Sequence, residues 1–248
     1  MKKTIWIAAL LLASALLAGC SSADGNTLKI GTEPTFPPFE FMDEATGKID
    51  GFDIALITAM AEKAGYKVEI TNVAFDGLIA ALQSGNIDVV ASGMSITDER
   101  KQSVLFTDAY VDAGLTIAVA KANSDITGEN SLSGKTAGVQ IGTIGADKAE
   151  ELKAAGKLKA VKTYNTIDVA FLDLLNGSVD CVINDGPVNE AYMNKNPGKI
   201  KTVGDILASD QYGFAVSKDN KDLQAKLNKA LKELKEDGTY DKLVAKYF

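Results

Sequence analysis

The chain has 248 residues, 46% hydrophobic and 24% charged, a globular composition with room for one large domain or two lobes of about 100 residues each. Its 33 acidic and 26 basic residues leave a net charge of −7 with no basic stripe to neutralise phosphates, which argues against a nucleic-acid partner. There is no histidine, and the cysteines are Cys20 and Cys181 alone, so His-based triads, His metal ligands and thiolate clusters are excluded; nothing calls for a metal or a cofactor.

The first element is a leader. "MKKTIWIAALLLASALLAGC" opens on Lys2-Lys3, continues through an apolar run from Ile5 to Leu17 and ends on small residues before Cys20. The run, about 13 residues, is short for a membrane span of about 20, so 1–19 reads as a secretory signal peptide. Leu17-Ala18-Gly19-Cys20 resembles a bacterial lipobox, which implies lipidation of Cys20 and a polar tether over 20–27. The expectation is a protein outside the cytoplasm, held to a membrane by lipid, with a net charge of −9 once Lys2 and Lys3 are removed.

From residue 28 the pattern alternates. A strand at "LKIGT" (28–32) precedes a helix at "GFDIALITAMAEKAG" (51–65), with Ile54, Ile57, Ala61 and Ala64 on one face and Gly65 as a stop. A strand (67–71), a helix (75–85) and a strand (88–92) follow, then a short helix opened by Thr97-Asp98-Glu99. The second half repeats the design: strand 136–140, helix 144–156, strand 158–164, helix 166–177 and strand 180–185, where Cys181 reads as a buried small hydrophobe. Helices at 220–236 and 239–247 close the chain. Such alternation predicts an α/β fold with mainly parallel sheets.

An internal repeat points to two similar lobes. "LQSGNIDVVASG" and "LLNGSVDCVIND" align without gaps at a separation of 92 residues, matching Gly85 to Gly177 and Asp88 to Asp180. Each is a helix ended by glycine, a short turn and a buried strand. Ser92-Gly93 and Asn184-Asp185 then fall just past equivalent strand ends, where α/β sheets gather ligand groups. Two lobes face to face bring these ends together across a cleft.

Within that cleft the single arginine has a purpose. All 25 other basic residues are lysine, and only a guanidinium grips a carboxylate through two parallel hydrogen bonds, so Arg100 is assigned to a ligand carboxylate rather than to a surface pair with Asp98 or Glu99. Asp185 suits an ammonium and can also cap the helix that begins at Gly186-Pro187. The Gly-bearing "QIGTIGADKAEEL" favours an anion at a helix N-terminus, with Thr143 adding a hydroxyl; it lacks the Lys-Ser/Thr ending of a phosphate loop. Phe36 and Phe75 follow strands and can cover an aliphatic stem, Glu33 lies at the same mouth, and Phe39 and Phe41 are assigned to ordinary packing. Together these groups describe a small-molecule α-amino acid as ligand.

The segments "GTEPTFPPFEF", "GFDIALITAMAEKAG", "FDGLIAALQSGNIDVVASGMSITDERKQSVLFTDAY", "GKTAGVQIGT" and "DGTYDKLVAKYF" resemble the polar amino acid family of extracellular solute-binding proteins, the capture subunits of ABC importers, from about Leu28 to Phe248. The resemblance implies a type II periplasmic-binding-protein fold with two hinge strands crossing near Ala113-Gly114 and Ser209–Tyr212. Lobe 1 would comprise 28–113 and 209–248, and lobe 2 would comprise 114–208. It also implies that Arg100 holds the ligand α-carboxylate and Asp185 the α-ammonium, with Ser92, Gly93, Ser95 and Thr143 lining the α-carbon end and Phe36 and Phe75 the aromatic pair. Glu33, Gln140 and Asn184 stand where relatives vary with ligand. Glutamine-binding relatives often carry Lys and His at the last two positions, whereas arginine-binding relatives often share the "GVQ" segment and a Glu like Glu33. Ile144 departs from both. The implied protein is a monomer delivering a polar L-amino acid, arginine or another basic one ahead of glutamine, to a permease. The rival class is an enzyme, a dehydratase on the same fold.

Overall fold

A computed structural model describes residues 26–248; the leader and Cys20 lie outside the described residues. The chain begins with β1 (Thr27–Thr32), then a small antiparallel sheet of β2 (Thr35–Phe36), β3 (Glu40–Met42) and β4 (Ile49–Asp50). Next come α1 (Phe52–Lys63), β5 (Lys67–Asn72), α2 (Leu78–Gln83), β6 (Val89–Val90), α3 (Asp98–Ser103) and β7 (Val104–Phe106). The long β8 (Val111–Ala120) leads into β9 (Thr136–Gln140), α4 (Ile144–Ala154), β10 (Ala160–Tyr164), α5 (Ile167–Leu175), β11 (Cys181–Asp185) and α6 (Gly186–Lys195). Finally β12 (Ile200–Tyr212) returns the chain to β13 (Ala215–Ser217), α7 (Lys221–Glu236) and α8 (Thr239–Tyr247).

Two five-stranded sheets result, one per lobe: β5-β1-β6-β13-β7 and β10-β9-β11-β8-β12. In each, the first three strands are parallel and the last two pairings antiparallel. The parallel triplets come from the βαβ repeats that hydrophobic periodicity reveals. The antiparallel pairings involve the strands that carry the chain out to the second lobe, β7 and β8, and back, β12 and β13. The chain passes between the sheets at 107–110 and again at 213–214. The anticipated crossing residues pair within the β8–β12 ladder, Gly114 with Ser209 and Ala113 with Asp210.

The helices follow from apolar spacing. α7 buries Leu223, Leu227, Ala230, Leu231 and Leu234, a stripe at helical period, and Asn220 caps it by accepting from the Leu223 N–H at 3.1 Å. α1 buries Phe52, Ile54, Leu56, Ile57, Met60 and Ala61. One core cluster runs through both lobes, from Ile30 and Phe52 to Phe171 and Val182, so the lobes share packing as well as connections.

The internal repeat is structural. Gly85 and Gly177 adopt φ of 74° and 76°, the left-handed stop that glycine takes without steric cost. Asp88 then accepts the Lys29 N–H at 2.8 Å, and Asp180 accepts the Thr136 N–H at 2.7 Å. Each aspartate ties the start of its own strand to the middle strand of the parallel triplet in its own sheet, β1 or β9. Cys181 is fully buried, and burial pushes its thiol up to about 12.

Candidate functional site

The site gathers beyond the carboxyl ends of the parallel strands. From lobe 1, the turn after β1 contributes Glu33 and Phe36, and the segment after β6 contributes Ser92, Gly93 and Ser95. All five are buried. The Ser92 hydroxyl accepts the Glu33 N–H at 3.0 Å, which fixes the two strand ends to each other. Gly93 sits at φ 46°, and a Cβ there would lie 2.8 Å from the Phe36 ring, so the ring packs directly on the backbone. The Gly93 N–H is already used, donating to Asp53 Oδ2 at 2.8 Å.

Arg100 is carried on α3, capped by Thr97, whose hydroxyl accepts the Arg100 N–H at 3.1 Å. Its guanidinium donates to the Ser95 carbonyl and to the Gly142 carbonyl of lobe 2, both at 2.9 Å, and lies 5.5 Å from the centre of the Phe75 ring. Burial lowers its pKa against the pull of Asp210, Asp147, Asp185 and Glu99. Among the described residues no ion pair includes it. Carbonyls orient the fork, and its remaining donors have no carboxylate.

Lobe 2 supplies Gln140, Thr143 and Asp185. Thr143 caps α4: its hydroxyl donates to the Gln140 carbonyl at 2.8 Å and accepts the Ala146 N–H at 3.1 Å, leaving one lone pair. Gly145 lets this helix end approach β11, since a Cβ there would meet the Ile183 carbonyl oxygen at 2.8 Å. Asp185 ends β11 and begins α6 without a side-chain cap bond, and its carboxyl is buried. Burial and the neighbouring Asp210 push its carboxyl up to about 7, against Tyr212 and Arg100. Asn184 is occupied elsewhere, in a buried amide cluster with Asn189 and Thr116.

The lobes touch through the site. Gln140 Nε2 donates to Glu33 Oε2 at 3.0 Å and to the Asn165 carbonyl at 3.2 Å. Glu33 also accepts from the Thr35 hydroxyl at 2.7 Å, yet burial still raises its carboxyl above the ordinary value, with Asp168 adding to the rise. At the rim, the Tyr192 hydroxyl donates to the Thr35 carbonyl at 2.9 Å. A groove of about 560 Å³ lies outside this contact, lined by Pro37, Phe41, Asp168 and Tyr192 among others. Phe39 is fully buried as anticipated, whereas Phe41 is half-buried and lines that groove.

Three residues join the site that sequence reasoning missed. Asp210 lies on β12, accepts from the Ser95 hydroxyl at 2.6 Å and is raised by burial. Tyr212 is fully buried beside Asp185. Tyr192 is the rim contact. The first two sit in the anticipated 209–212 crossing, which has to pass the cleft; that position was the available signal. Among the described residues no cluster of three or more His, Cys, Asp or Glu could hold a metal, and no helix is long and apolar enough to cross a membrane.

Comparison with known proteins fits this geometry. The family model described as bacterial extracellular solute-binding proteins, family 3, matches residues 28–248. A probable histidine-binding protein of Campylobacter jejuni subsp. jejuni is 37% identical over 89% of this chain and 84% of its own. An ancestral arginine-binding protein, solved with arginine, superposes with a TM-score of 0.86 at 47% identity, covering 90% of this chain and 98% of that one, and has also been solved with glutamine. An ancestral amino acid-binding protein, AncCDT-1, described as a precursor of cyclohexadienyl dehydratase, superposes at 0.82 with 39% identity over 90% of this chain and 96% of that one.

Proposed function

The chain belongs to the bacterial extracellular solute-binding proteins, family 3, and from that premise we propose that it captures a basic L-amino acid, arginine foremost, for an ABC importer. The observation that carries the reading is the pairing of two unmet needs. Among the described residues, Arg100 is oriented by carbonyls and has no carboxylate partner, while the buried Asp185 carboxyl has no ammonium or guanidinium partner. An α-amino acid satisfies both at once, its carboxylate on the fork and its ammonium on Asp185. Phe36 and Phe75 then cover the stem, and Ser92, Gly93, Ser95 and Thr143 line the α-carbon end. Glu33 and Gln140 read the side chain. A buried carboxylate bonded to neutral donors favours a cation there, which ranks arginine, lysine and histidine above neutral side chains.

Binding proceeds without chemistry. The open form takes ligand on one lobe, and closure of the two lobes adds the other lobe's contacts. Ligand shifts the population only by its extra affinity for the closed form. The closed pair is presented to a permease by a monomer that Cys20 tethers to the membrane through lipid. The amino acid-binding names of the relatives support a binding protein over an enzyme. The test is a dye-based thermal shift against the twenty amino acids. A ligand at 100 times its Kd adds about 2.7 kcal/mol of stability. The largest shift is expected from arginine, lysine or histidine, and no shift with ligand-free protein would overturn the reading.

A second reading is glutamine, favoured by the ancestral relative that has been solved with either ligand. In that case Gln140 and Glu33 bond the neutral amide, and glutamine gives the largest shift. A dehydratase reading rests on the same fold relationship, and consumption of a cyclohexadienyl acid would reveal it.

A further inference from the structure

Behind the lobe 1 wall of the cleft lies a buried pair of carboxyl groups that ligand binding does not use. Glu40 on β3 and Asp53 in the first turn of α1 are both fully buried, and among the described residues neither bonds a lysine or arginine. We propose that Glu40 and Asp53 share a single proton, Glu40 as the acid and Asp53 as the carboxylate, and that this pair is the positioning element for the Ser92–Gly93 wall of the cleft.

The hydrogen bonds assign the proton. Asp53 Oδ2 accepts twice, from the Gly93 N–H at 2.8 Å and from the Tyr110 hydroxyl at 2.6 Å, as an ionised oxygen does. Glu40 Oε1 accepts from the Ser92 hydroxyl at 3.1 Å. Two oxygens are left over, Glu40 Oε2 and Asp53 Oδ1, both buried and both without a donor. The two carboxyls are neighbours, since the Asp53 N–H donates to the Phe39 carbonyl at 2.9 Å and the two side chains bond the adjacent residues Ser92 and Gly93; one proton on Glu40 Oε2, donated to Asp53 Oδ1, satisfies both. Two adjacent buried carboxylates cannot both ionise cheaply.

The charge belongs on Asp53 for a second reason. Asp53 sits at the N-terminus of α1, a 12-residue helix whose dipole favours an anion, whereas Glu40 is on a strand. The titratable groups facing Glu40 are Asp53 and Glu33, with Tyr110 on Asp53 and Tyr212 nearby. None carries a positive charge, so no titratable group here compensates a second ionisation. Burial and Asp53 raise Glu40 well above the ordinary carboxylate range, and burial raises Asp53 to about 7.

The pair reaches the cleft through a short chain of bonds. Glu40 holds the Ser92 hydroxyl, whose oxygen in turn accepts the Glu33 N–H; Asp53 holds the Gly93 N–H, and Gly93 carries the Phe36 ring. One proton therefore fixes four residues assigned to ligand.

The proton itself is tested without ligand, so failure of the amino acid reading would not be confused with failure here. Infrared difference spectra at pH 8, wild type minus Glu40→Gln, should show a protonated carboxyl band in the wild type, where Asp53 and Asp185 are largely ionised. Absence of that band overturns the shared proton. With arginine as probe, Glu40→Gln, whose amide donates and accepts in the same places, should bind within about threefold of wild type. Glu40→Ala, which can do neither, should bind at least about tenfold more weakly. Wild-type affinity should also fall at the alkaline pH where the band disappears, and Glu40→Gln should not follow it. If Glu40→Gln weakens binding as much as Glu40→Ala, or if both bind as wild type, the positioning role is wrong. If Glu40→Ala does not fold, the band, Glu40→Gln and its pH profile still decide.

Discussion

Gln140 Nε2 and Glu33 Oε2 meet at 3.0 Å, an amide from lobe 2 on a carboxylate from lobe 1. The bond joins the lobes, but it leaves a buried negative charge answered only by neutral donors, Gln140 and Thr35. Such a charge is costly until a cation arrives. Glu33→Gln should therefore weaken arginine binding by about 1.5–3 kcal/mol, the scale for a charged hydrogen bond, while shifting glutamine far less. Calorimetric titration of both ligands against both proteins checks this. Equal loss for the two would mean that Glu33 shapes the cleft without reading the side chain.

Arg100 does two jobs, and a lysine can do neither well. Its fork bonds Ser95 and Gly142 carbonyls on opposite lobes, and among the described residues it has no carboxylate partner. Arg100→Lys keeps the charge and removes the planar geometry. Affinity for any α-amino acid should fall by about 1.5–3 kcal/mol. The melting temperature of the empty protein should change little by comparison. Unchanged affinity in a folded variant would remove Arg100 from the carboxylate role.

How much of this was legible beforehand depends on what a residue's neighbours in sequence reveal. The βαβ repeats were readable because periodicity, Gly85 and Gly177 mark each helix end, and the matched Asp88 and Asp180 make matching bonds. Arg100 stood out because the chain otherwise uses lysine. Asp210 and Tyr212 were not readable as individuals: they lie on β12, a strand with no periodic signature, and gain meaning only from Ser95 and Asp185 opposite. Tyr192 likewise sits in an ordinary helical stripe, and its partner Thr35 is remote in sequence. Glu40 reads as one more polar residue between two phenylalanines until Asp53 is seen beside it. Contacts between distant segments are the part that local pattern does not encode.

Tyr192 offers a test of closure separate from ligand chemistry. Its ring stacks on Phe171 at 4.1 Å between centres, and its hydroxyl bonds the Thr35 carbonyl across the rim. Tyr192→Phe keeps the stacking and removes one inter-lobe bond. If that bond forms on closure, the loss of about 0.5–1.5 kcal/mol should fall equally on every ligand and emerge as faster dissociation. Stopped-flow release of arginine and of lysine would show it. A loss confined to one ligand would make Tyr192 part of the side-chain pocket instead.

Asp185 sets a pH dependence whose sign is fixed by its position. Burial and Asp210 raise its carboxyl from 3.8 to about 7 in the empty protein. A raised acid stabilises the fold most where it is protonated, so this contribution is full below about pH 4 and is lost as pH climbs through about 7. Ligand reverses the preference, because an ammonium needs the ionised carboxylate. Below about pH 7 binding must release the proton, and affinity should fall by up to tenfold for each unit of acidification until the bound-state pKa is reached. Calorimetry in buffers of different ionisation enthalpy counts that proton directly. Glu33 is also raised and can release a proton to a cationic side chain, so a neutral probe such as glutamine isolates the ammonium end. With glutamine, Asp185→Asn should bind more weakly near pH 8 and lose most of the slope between pH 5 and 7. A slope that survives the substitution would move the titrating group elsewhere and leave the ammonium without its partner.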